Sequence, residues 1–492
     1  MRLPARALAT AASVALLIPI CGFSPNAAQS PRASVDADII VTAAPAYEPL
    51  AALRGGERFP KGAQLLLVHE GKAEPLVTGF AATADANVSF DAKTVLFAGK
   101  QAASNPWQIW ELTLDHHSLR KLIAGEGDVI RPFYLPAGQL VYARRTPLGF
   151  QLEAAGKVAS SALAQIDANV GSTVLPLSYL PASAIPADVL LDGRILFEAG
   201  FPLGSGSTPE LFLVYSDGSG VESYRCDHGR ARWGGKQLAS GDVVFTHGAS
   251  LARFTSPLAH EAPIVAPRAE YAGAMAETAS GDWLVSARAG AGMHYALKSW
   301  KPPLSSSPDS SLGSSHGAAA LQTVLAESGE DLVEPVLVVP RTRPKHHPSG
   351  LHDWSYANML ALDARLSREG DLKATPAATP VLVRLEALDA GGHTVVMGTA
   401  PVEADGSFFV KTPADKPIRF ALLDQKGAIL RQEHGWFWIR SGEQRICVGC
   451  HTGPERSSEN RVPAVLLRTT TPVDLSGVKE PGEAQRGTPG GK

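Results

Sequence analysis

The stretch Asn87-Val88-Ser89-Phe90-Asp91-Ala92-Lys93-Thr94-Val95-Leu96-Phe97-Ala98 decides the fold. A polar turn leads into an apolar strand, and after a polar loop the alternating strand Trp107-Gln108-Ile109-Trp110-Glu111-Leu112 follows. This is the pattern of two neighbouring antiparallel strands. Weaker copies of the turn and its strand occur at 138–143, 192–197, 241–245 and 281–285. Successive copies are about 40 to 55 residues apart, which is typical of the blade repeat of a β-propeller.

Residues 36–340 are therefore predicted to form a β-propeller of six or seven blades. Asp217-Gly218 lies between two apolar runs and predicts a hairpin turn inside one blade. A pair of β-sandwiches is the competing fold, but a sandwich would not repeat at this spacing. Residues 302–320 are rich in serine, proline and glycine and predict a flexible loop within or after the last blade.

Residues 380–440 predict a second unit, a small β-sandwich. Alternating apolar and charged residues begin at Val381, which is typical of a half-buried strand. Asp405-Gly406 predicts a hairpin, and the turn at 424–427 predicts another. The aromatic run Trp436-Phe437-Trp438 closes the unit; it would either line a cofactor pocket or belong to the sandwich core. The predicted fold class is thus all-β, with a propeller, a sandwich and a C-terminal segment.

That C-terminal segment, 441–476, contains Cys447-Val448-Gly449-Cys450-His451. Two cysteines separated by two residues and followed by histidine form the attachment pattern of c-type haem. The thiols of Cys447 and Cys450 would add to the haem vinyl groups, and His451 would be the proximal iron ligand. A redox pair, half of a zinc site or a disulfide are the alternatives. A redox pair would need a βαβ setting, and a zinc site a second Cys/His pair close by.

The other haem ligand is left open by the sequence. The candidates are six histidines and two methionines: His228, His346, His347, His352, His393, His434, Met359 and Met397. A methionine or second histidine would favour electron transfer, and an empty position would favour catalysis. The basic segment 341–348, within a connecting region 341–379, is either an extended linker or a strand of cations that meets the haem propionates.

The N-terminus predicts export. Residues 1–28 combine Arg2 and Arg6 with an apolar run of about 14 residues, which is typical of a signal peptide. A periplasmic or secreted location follows, with a lipoprotein anchored at Cys21 as the weaker alternative. No other stretch is long and apolar enough to cross a bilayer, so the mature chain should carry no transmembrane segment. Cys226 would be a buried free thiol, and the tail 477–492 is expected to be disordered.

Composition excludes several classes of protein. The 47 glycines and 37 prolines among 492 residues fit a turn-rich β protein. The formal net charge is −3 and no strong basic run is present, so nucleic acid is not an expected partner. Four cysteines, three of them assigned above to a signal peptide and a haem motif, exclude a disulfide scaffold.

The repeats at 60–300 resemble those of TolB-type propellers. The stretch Val402-Glu403-Ala404-Asp405-Gly406-Ser407-Phe408, followed by 442–451, 453–456 and 460–463, resembles the middle domain of the hydrazine synthase alpha subunit and its bacterial relatives. The resemblance implies that Cys447 and Cys450 attach haem and that His451 is an iron or metal ligand. The chain departs from the synthase in having one Cys-x-x-Cys-His motif rather than more, and no tyrosine soon after His451.

Three functions are compatible with these residues. The first is an exported single-haem protein that passes electrons to or from a redox partner docked on the propeller. The second is a haem enzyme acting on a small nitrogen or oxygen species. The third is a binding or scaffold protein on a propeller. The sequence leaves the choice between enzyme and carrier open.

Overall fold

The computed structural model describes residues 35–156, 174–200, 208–225, 230–256, 259–302, 320–367, 371–372, 379–449 and 457–478. The predicted signal peptide, most of the serine-rich loop, Cys226 and nearly all of the predicted tail lie outside these ranges. The described chain is almost entirely β, as the alternating and turn-bounded patterns predict. Among the described residues, no helix has the length and apolar character needed to span a bilayer.

The first twenty-four described strands form the propeller. In chain order, the first twelve are β1 (Ile39–Ala44), β2 (Gln64–His69), β3 (Lys72–Pro75), β4 (Ala82–Val88), β5 (Thr94–Lys100), β6 (Gln108–Thr113), β7 (Ser118–Ile123), β8 (Val129–Tyr134), β9 (Leu140–Thr146), β10 (Gly149–Ala155), β11 (Val174–Pro176) and β12 (Ala184–Val189). The next twelve are β13 (Ile195–Ala199), β14 (Glu210–Val214), β15 (Glu222–Ser223), β16 (Arg232–Gln237), β17 (Val243–His247), β18 (Ser250–Phe254), β19 (Ala262–Pro263), β20 (Glu270–Glu277), β21 (Trp283–Arg288), β22 (Ala296–Trp300), β23 (Gln322–Leu325) and β24 (Asp331–Leu337). A short 3₁₀ helix spans Ala52–Arg54.

These strands make six four-stranded antiparallel sheets, so the propeller has six blades. Blades 2 to 6 each use four consecutive strands, from β4–β7 to β20–β23. Blade 1 has the order β24-β1-β2-β3, which pairs the last strand of the propeller with the first and closes the circle. Apolar side chains fill the space between neighbouring blades, and β4, β8, β12, β16, β20 and β24 contact one another around the axis.

Each innermost strand is interrupted by a bulge at about the same level. The register shifts fall between Ala84 and Asn87 in β4 and at the corresponding points of β8, β12, β16 and β20. In blade 1 the shift occurs where the innermost strand, β24, pairs with β1. Asp85, Arg131 and Glu334 occupy these bulges with positive φ angles of 61°, 56° and 57°. A bulge re-aims the side chain that it carries. Charged groups from different blades therefore meet near the axis.

We call this group of charges the axial cluster: Tyr47, Arg58, Asp85, Arg131 and Glu334. Arg58 donates to Glu334 at 2.7 Å and also to Asp85, so it joins blade 1 to blade 2. Tyr47 donates to Glu334 at 3.0 Å, and the backbone N–H of Arg131 donates to Asp85 at 3.0 Å. Both carboxylates that pair with Arg58 and Arg131, Asp85 and Glu334, are buried, so removal of either would leave a buried charge without its partner.

The remaining strands form a sandwich of two four-stranded sheets. They are β25 (Tyr356–Ala361), β26 (Leu382–Leu388), β27 (Thr394–Pro401), β28 (Phe408–Pro413), β29 (Ile418–Leu423), β30 (Ile429–Gln432), β31 (Gln444–Cys447) and β32 (Val473–Asp474). One sheet has the order β31-β25-β28-β32 and the other β27-β26-β29-β30. A short helix, α1 (Ala464–Arg468), precedes β32. The facing side chains of the two sheets, such as Val383, Leu385, Phe408, Val410 and Phe420, make the core.

The sandwich takes in more of the chain than the predicted range 380–440. β25 comes from the predicted connecting region, and β31 and β32 come from the predicted haem segment. One sheet cannot be built without them, because β28 would otherwise lack both of its neighbours. The segment that carries Cys447 is therefore an integral part of the sandwich.

The hairpin predicted at Asp405-Gly406 is wrong, although the turn itself exists. The strand before it, β27, pairs with β26, while the strand after it, β28, pairs with β25 in the opposite sheet. The chain therefore crosses between sheets at this turn. The hairpin predicted at Asp217-Gly218 and the turn at 424–427 both connect paired strands, as expected.

Candidate functional site

Cys447 lies at the end of an edge strand of the sandwich. β31 runs parallel to β25, with Ala361 opposite Cys447. The backbone N–H of Leu362 donates to the carbonyl of Cys447 at 2.9 Å, and that of Asp363 donates to the carbonyl of Val448 at 3.1 Å. The first cysteine of the motif is thus fixed by the sheet, while the chain beyond it leaves the sheet.

The thiol of Cys447 forms no disulfide with any described residue and is partly buried against the sandwich core. Burial raises its pKa above the ordinary value, and the nearby guanidinium of Arg445 offsets that effect only in part. A thiol in such surroundings is protonated at neutral pH and is a weak nucleophile towards oxidants. Cys450 and His451 lie outside the described residues, so the structure describes one member of the predicted motif.

A second group of charges, which we call the edge cluster, holds the chain where it leaves β31. It consists of Asp363, Arg365, Asp405 and Arg461. Arg365 pairs with Asp363 at 2.8 Å and donates to the carbonyls of Ala404 and Asp405 at 2.9 and 2.8 Å. Arg461 donates to the same carbonyl of Asp405 at 3.1 Å. Since Asp363 also binds Val448 through its backbone, the cluster connects the turn at Asp405 to the exit of β31.

The edge cluster explains the glycine in that turn. Gly406 has a φ of +84°, and a Cβ there would collide with the carboxylate of Asp363. Asp405 accepts hydrogen bonds from the hydroxyl and N–H of Ser407 and from the N–H of Ala464 at the start of α1. Burial raises the pKa of Asp405, but these hydrogen bonds outweigh it, so the pKa is lowered overall. The carboxylate therefore stays ionised and ties α1 to the turn.

The aromatic run before β31 joins the sandwich to the propeller. Trp438 is fully buried among propeller side chains, and its Nε1 donates to the carbonyl of Gly218 at 3.0 Å. Phe437 contacts both cores, and Trp436 packs against the propeller with Arg419 4.5 Å from its ring. Of the two interpretations of this run, sandwich core and cofactor wall, neither describes it fully. Its main contact is with blades 3 and 4 of the propeller.

Arginines flank this junction and dock β31 against blade 4. Arg440 pairs with Asp415 at 2.7 Å and donates to the carbonyl of Asp217 at 3.0 Å.

Arg445, two residues before Cys447, donates to the carbonyl of Val221. Glu443 accepts from the N–H of Gly220 at 3.2 Å. The strand that carries Cys447 therefore lies directly beside the hairpin of blade 4.

The candidates for the second haem ligand lie in different places. His352 and Met359 are tied to the Cys447 strand: His352 contacts Gln444 at 2.8 Å and stacks on Trp354, and Met359 is buried opposite Arg445. The remaining described candidates lie at exposed turns, on the propeller surface or at the far sheet: His346, His347, His393, His434 and Met397. His228 is outside the described residues. No group of three His, Cys, Asp or Glu side chains that could hold a metal ion occurs within the described ranges.

The basic segment 341–348 crosses one face of the propeller. The N–H of Arg341 donates to Phe90 of blade 2 at 3.0 Å, and that of Lys345 donates to Leu191 of blade 4 at 3.0 Å. His347 packs on Tyr215 of the same blade, with 4.5 Å between the ring centres. The sequence left two interpretations of this segment, an extended linker and a strand of cations that meets the haem propionates. In the structure the segment lies on the propeller.

Comparison with known proteins supports the sequence resemblance. Residues 375–452 match the family described as hydrazine synthase alpha subunit middle domain. Over 61 residues the chain is 36% identical to hydrazine synthase subunit alpha of Kuenenia stuttgartiensis, a match that spans 12% of this chain and 8% of that protein. The predicted resemblance to this middle domain is therefore confirmed.

Solved structures extend the likeness to the whole fold. The structure of Kuenenia stuttgartiensis hydrazine synthase superposes with a TM-score of 0.70 at 17% identity, covering 89% of this chain and 72% of the other. TolB from Acinetobacter baumannii superposes with a TM-score of 0.39 at 12% identity, covering 63% and 67%. At such identities the likeness concerns the fold, so the arrangement of propeller followed by sandwich is shared with the synthase.

Proposed function

We propose that this chain is an exported c-type haem protein that transfers single electrons. The haem would be attached through Cys447 and Cys450, with His451 as the proximal iron ligand. The observation that carries the proposal is the position of Cys447, a free thiol at the end of a sheet-held strand, at the first position of a Cys-x-x-Cys-His motif.

The surroundings of Cys447 fit a covalently bound haem. Within the described residues the thiol forms no disulfide, so it is available for a thioether bond. It lies at the end of β31, which is the outermost strand of its sheet. The neighbouring Ile446 is 64% exposed and offers an apolar contact. When bound, a c-type haem supplies a one-electron redox centre whose potential depends on its axial ligands and its burial.

The protein's own residues set the geometry of this site. The hydrogen bonds to Cys447 and Val448 and the edge cluster hold the first attachment point still. Arg445 and Glu443 hold β31 against blade 4. A redox partner that docks on this side of the propeller would therefore come close to the haem. This supports the propeller as the docking surface for a partner protein.

Attachment of c-type haem takes place outside the cytoplasm, which agrees with the signal peptide expected at residues 1–28. The proposed location is the periplasm or the exterior, either free or, as the weaker alternative, anchored at Cys21. The test is to express the complete precursor with a haem-maturation system, isolate the periplasmic fraction and determine the N-terminal residue of the mature chain. An uncleaved cytoplasmic product would contradict export.

The attachment site is tested by replacing both cysteines with serine. The Cys447→Ser/Cys450→Ser variant should show no haem stain on a denaturing gel, because no thiol remains to hold the haem covalently. Cys226→Ser is the matched control and should stain like the wild type. A stained band in the double variant would mean that the attachment point lies elsewhere.

A hydrazine-synthase-like enzyme is the second candidate, favoured by the shared arrangement of propeller and sandwich. The two functions differ in the second iron ligand: a methionine or second histidine would suit the carrier, and an empty position would suit the enzyme. A reversible redox titration with a six-coordinate, carbon-monoxide-insensitive spectrum would support the carrier. Sustained hydrazine formation from ammonia and nitric oxide by the purified chain, supplied with an electron donor, would support the enzyme. If the matured chain carries no haem, only a binding or scaffold role remains.

A further inference from the structure

The axis of the propeller contains a cavity that the proposed function does not use. Its volume is about 190 Å³, and it extends from the bulges of the inner strands to their C-terminal ends. Three residues of the axial cluster, Asp85, Arg131 and Glu334, form its floor. Its walls are largely apolar and include Phe133, Ala274 and Pro335. Because the walls are apolar and the space exceeds that of a few waters, the cavity suits an organic molecule.

Arg341 of the crossing segment lies at the mouth of this cavity. One of its terminal nitrogens donates to the carbonyl of Val88 at 3.0 Å, and its guanidinium lies 4.5 Å from the centre of the Phe90 ring. Within the described ranges no carboxylate is paired with it. The nearest acid that acts on it, Asp188, is already bound by Lys236 at 2.8 Å and by the N–H of Gln237 at 2.9 Å.

This lack of a counter-ion separates Arg341 from Arg58 of the axial cluster. Arg58 is buried, but Asp85 and Glu334 more than compensate for its burial and raise its pKa. Burial lowers the pKa of Arg341, and the more distant Asp188 does not compensate. Arg341 is half-buried, so its guanidinium bears part of the cost of leaving water without an anion beside it. An anion in the cavity would remove that cost.

The other polar groups around the cavity do not take the place of that anion. Glu334 on the floor is engaged by Arg58 and Tyr47, and Glu277 at the rim accepts from the N–H of Ala239 at 2.8 Å. On the floor, the Nε of Arg131 is buried and has no hydrogen-bond partner. The cavity therefore has apolar walls, one unneutralised cation at its mouth and a second guanidinium with spare capacity at its floor.

We propose that the propeller axis binds a small organic acid, with its carboxylate on Arg341 and its apolar body between Phe133, Ala274 and Pro335. Carboxylates and guanidinium groups form paired, charge-assisted hydrogen bonds, which gives both affinity and orientation. The site lies on the propeller and is separate from Cys447, so binding should not depend on haem.

The experiment uses the purified mature chain and titration calorimetry with butyrate, hexanoate and benzoate. Butylamine and butanol serve as probes with the opposite charge and no charge. At least one acid should bind, and neither of the other probes should. In Arg341→Gln the affinity should fall at least tenfold. Arg343→Gln is the matched control, because Arg343 lies over the same Phe90 ring but is exposed, and it should bind like the wild type.

A second variant keeps Arg341 and removes the space. Ala274→Leu should fill the cavity and abolish binding of the acid, which guards against a folding defect in Arg341→Gln. The Cys447→Ser/Cys450→Ser variant should bind the acid unchanged, so this proposal and the haem proposal can fail separately. The proposal is overturned if none of the acids binds the wild type, if Arg341→Gln and Arg343→Gln bind alike, or if butylamine binds as tightly as the acids.

Discussion

The axial cluster and the edge cluster both join distant parts of the chain through arginine and carboxylate side chains, but they differ in their access to water. In the axial cluster, the side chains of Arg58, Asp85 and Glu334 are 5%, 2% and 6% exposed. In the edge cluster the carboxylates of Asp363 and Asp405 are similarly buried, at 9% and 6%, but Arg365 is 24% exposed and Arg461 is 38% exposed. When one member of a buried ion pair is removed, the other has no water to replace it. In a partly exposed ion pair, water can solvate the charge that is left.

The two clusters therefore have different tasks. The axial cluster joins blade 1, which closes the circle, to blades 2 and 3, so the integrity of the propeller depends on it. The edge cluster binds mostly backbone carbonyls around one turn and the exit of β31. Its task is to position the chain at Cys447. This difference leads to four predictions, which begin with the largest effect.

Glu334→Ala should destabilise the protein most, by about 3–5 kcal/mol, because it leaves Arg58 and Arg131 buried with one carboxylate fewer. The measurement is denaturant unfolding followed by tryptophan fluorescence. Glu270→Ala is the control: Glu270 pairs with Arg288 at 2.7 Å on a half-exposed edge and should cost no more than about 1 kcal/mol. Equal losses in both variants would contradict the role given to the axial cluster.

Trp438→Ala should cost about 3 kcal/mol, since a fully buried indole and its hydrogen bond to Gly218 are lost. Because this side chain joins the sandwich to the propeller, unfolding should also separate into two transitions. Trp354→Ala removes an indole that packs on His352 and Tyr356 instead, and it should keep a single transition. Two transitions in the wild type would mean that the junction does not couple the domains.

Arg365→Gln should cost only about 1–2 kcal/mol, because Arg365 is partly solvated. Its local effect should be larger: amide hydrogen exchange at Leu362 and Asp363 should accelerate as the exit of β31 loosens. Arg384→Gln is matched to it, since Arg384 is 23% exposed and pairs with Glu386 in the other sheet. If both variants accelerate exchange at Leu362 alike, the edge cluster has no special positioning role.

The smallest expected effect is on the free energy of unfolding at acidic pH. The pKa of Asp405 is lower in the folded chain than in the unfolded one, where it is about 3.9. Its contribution to stability is therefore fully present above the unfolded pKa and is lost as the pH falls through the lower, folded pKa. Asp405→Asn should be less stable than the wild type at pH 6, and the difference should shrink below pH 4. Unfolding curves between pH 2.5 and 6 measure this, and a constant difference would contradict it.

The repeat in the sequence predicted the blades well because it is local. Each of the five copies leads into the second strand of a blade: β5, β9, β13, β17 and β21. Blade 1 lacks a copy, because its innermost strand, β24, and its second strand, β1, come from opposite ends of the propeller and no turn joins them. That is why the sequence left the number of blades at six or seven.

The axial cluster was missed, although a signal was present. Arg131 and Glu334 are each followed by proline inside an apolar strand, and proline in a strand marks a bulge or an edge. The edge cluster had a weaker signal in the sequence. Asp405-Gly406 predicted a turn, but no nearby pattern identified Asp363 or Arg365 as residues that contact it. The cavity at the axis had no signal in the sequence, since its lining residues come from all six blades.

By itself, the sequence determined the all-β class, the blade repeat, the second unit and the resemblance of its motif region to the hydrazine synthase middle domain. These depend on alternation, turns and short motifs, which act between residues close together in the chain. Only the tertiary structure decided the closing blade, the docking of Trp438 on blade 4, the exit of β31 and the lone cation of Arg341. Those contacts join residues up to 298 positions apart, and their energy comes from burial and charge pairing, which local sequence patterns do not reveal.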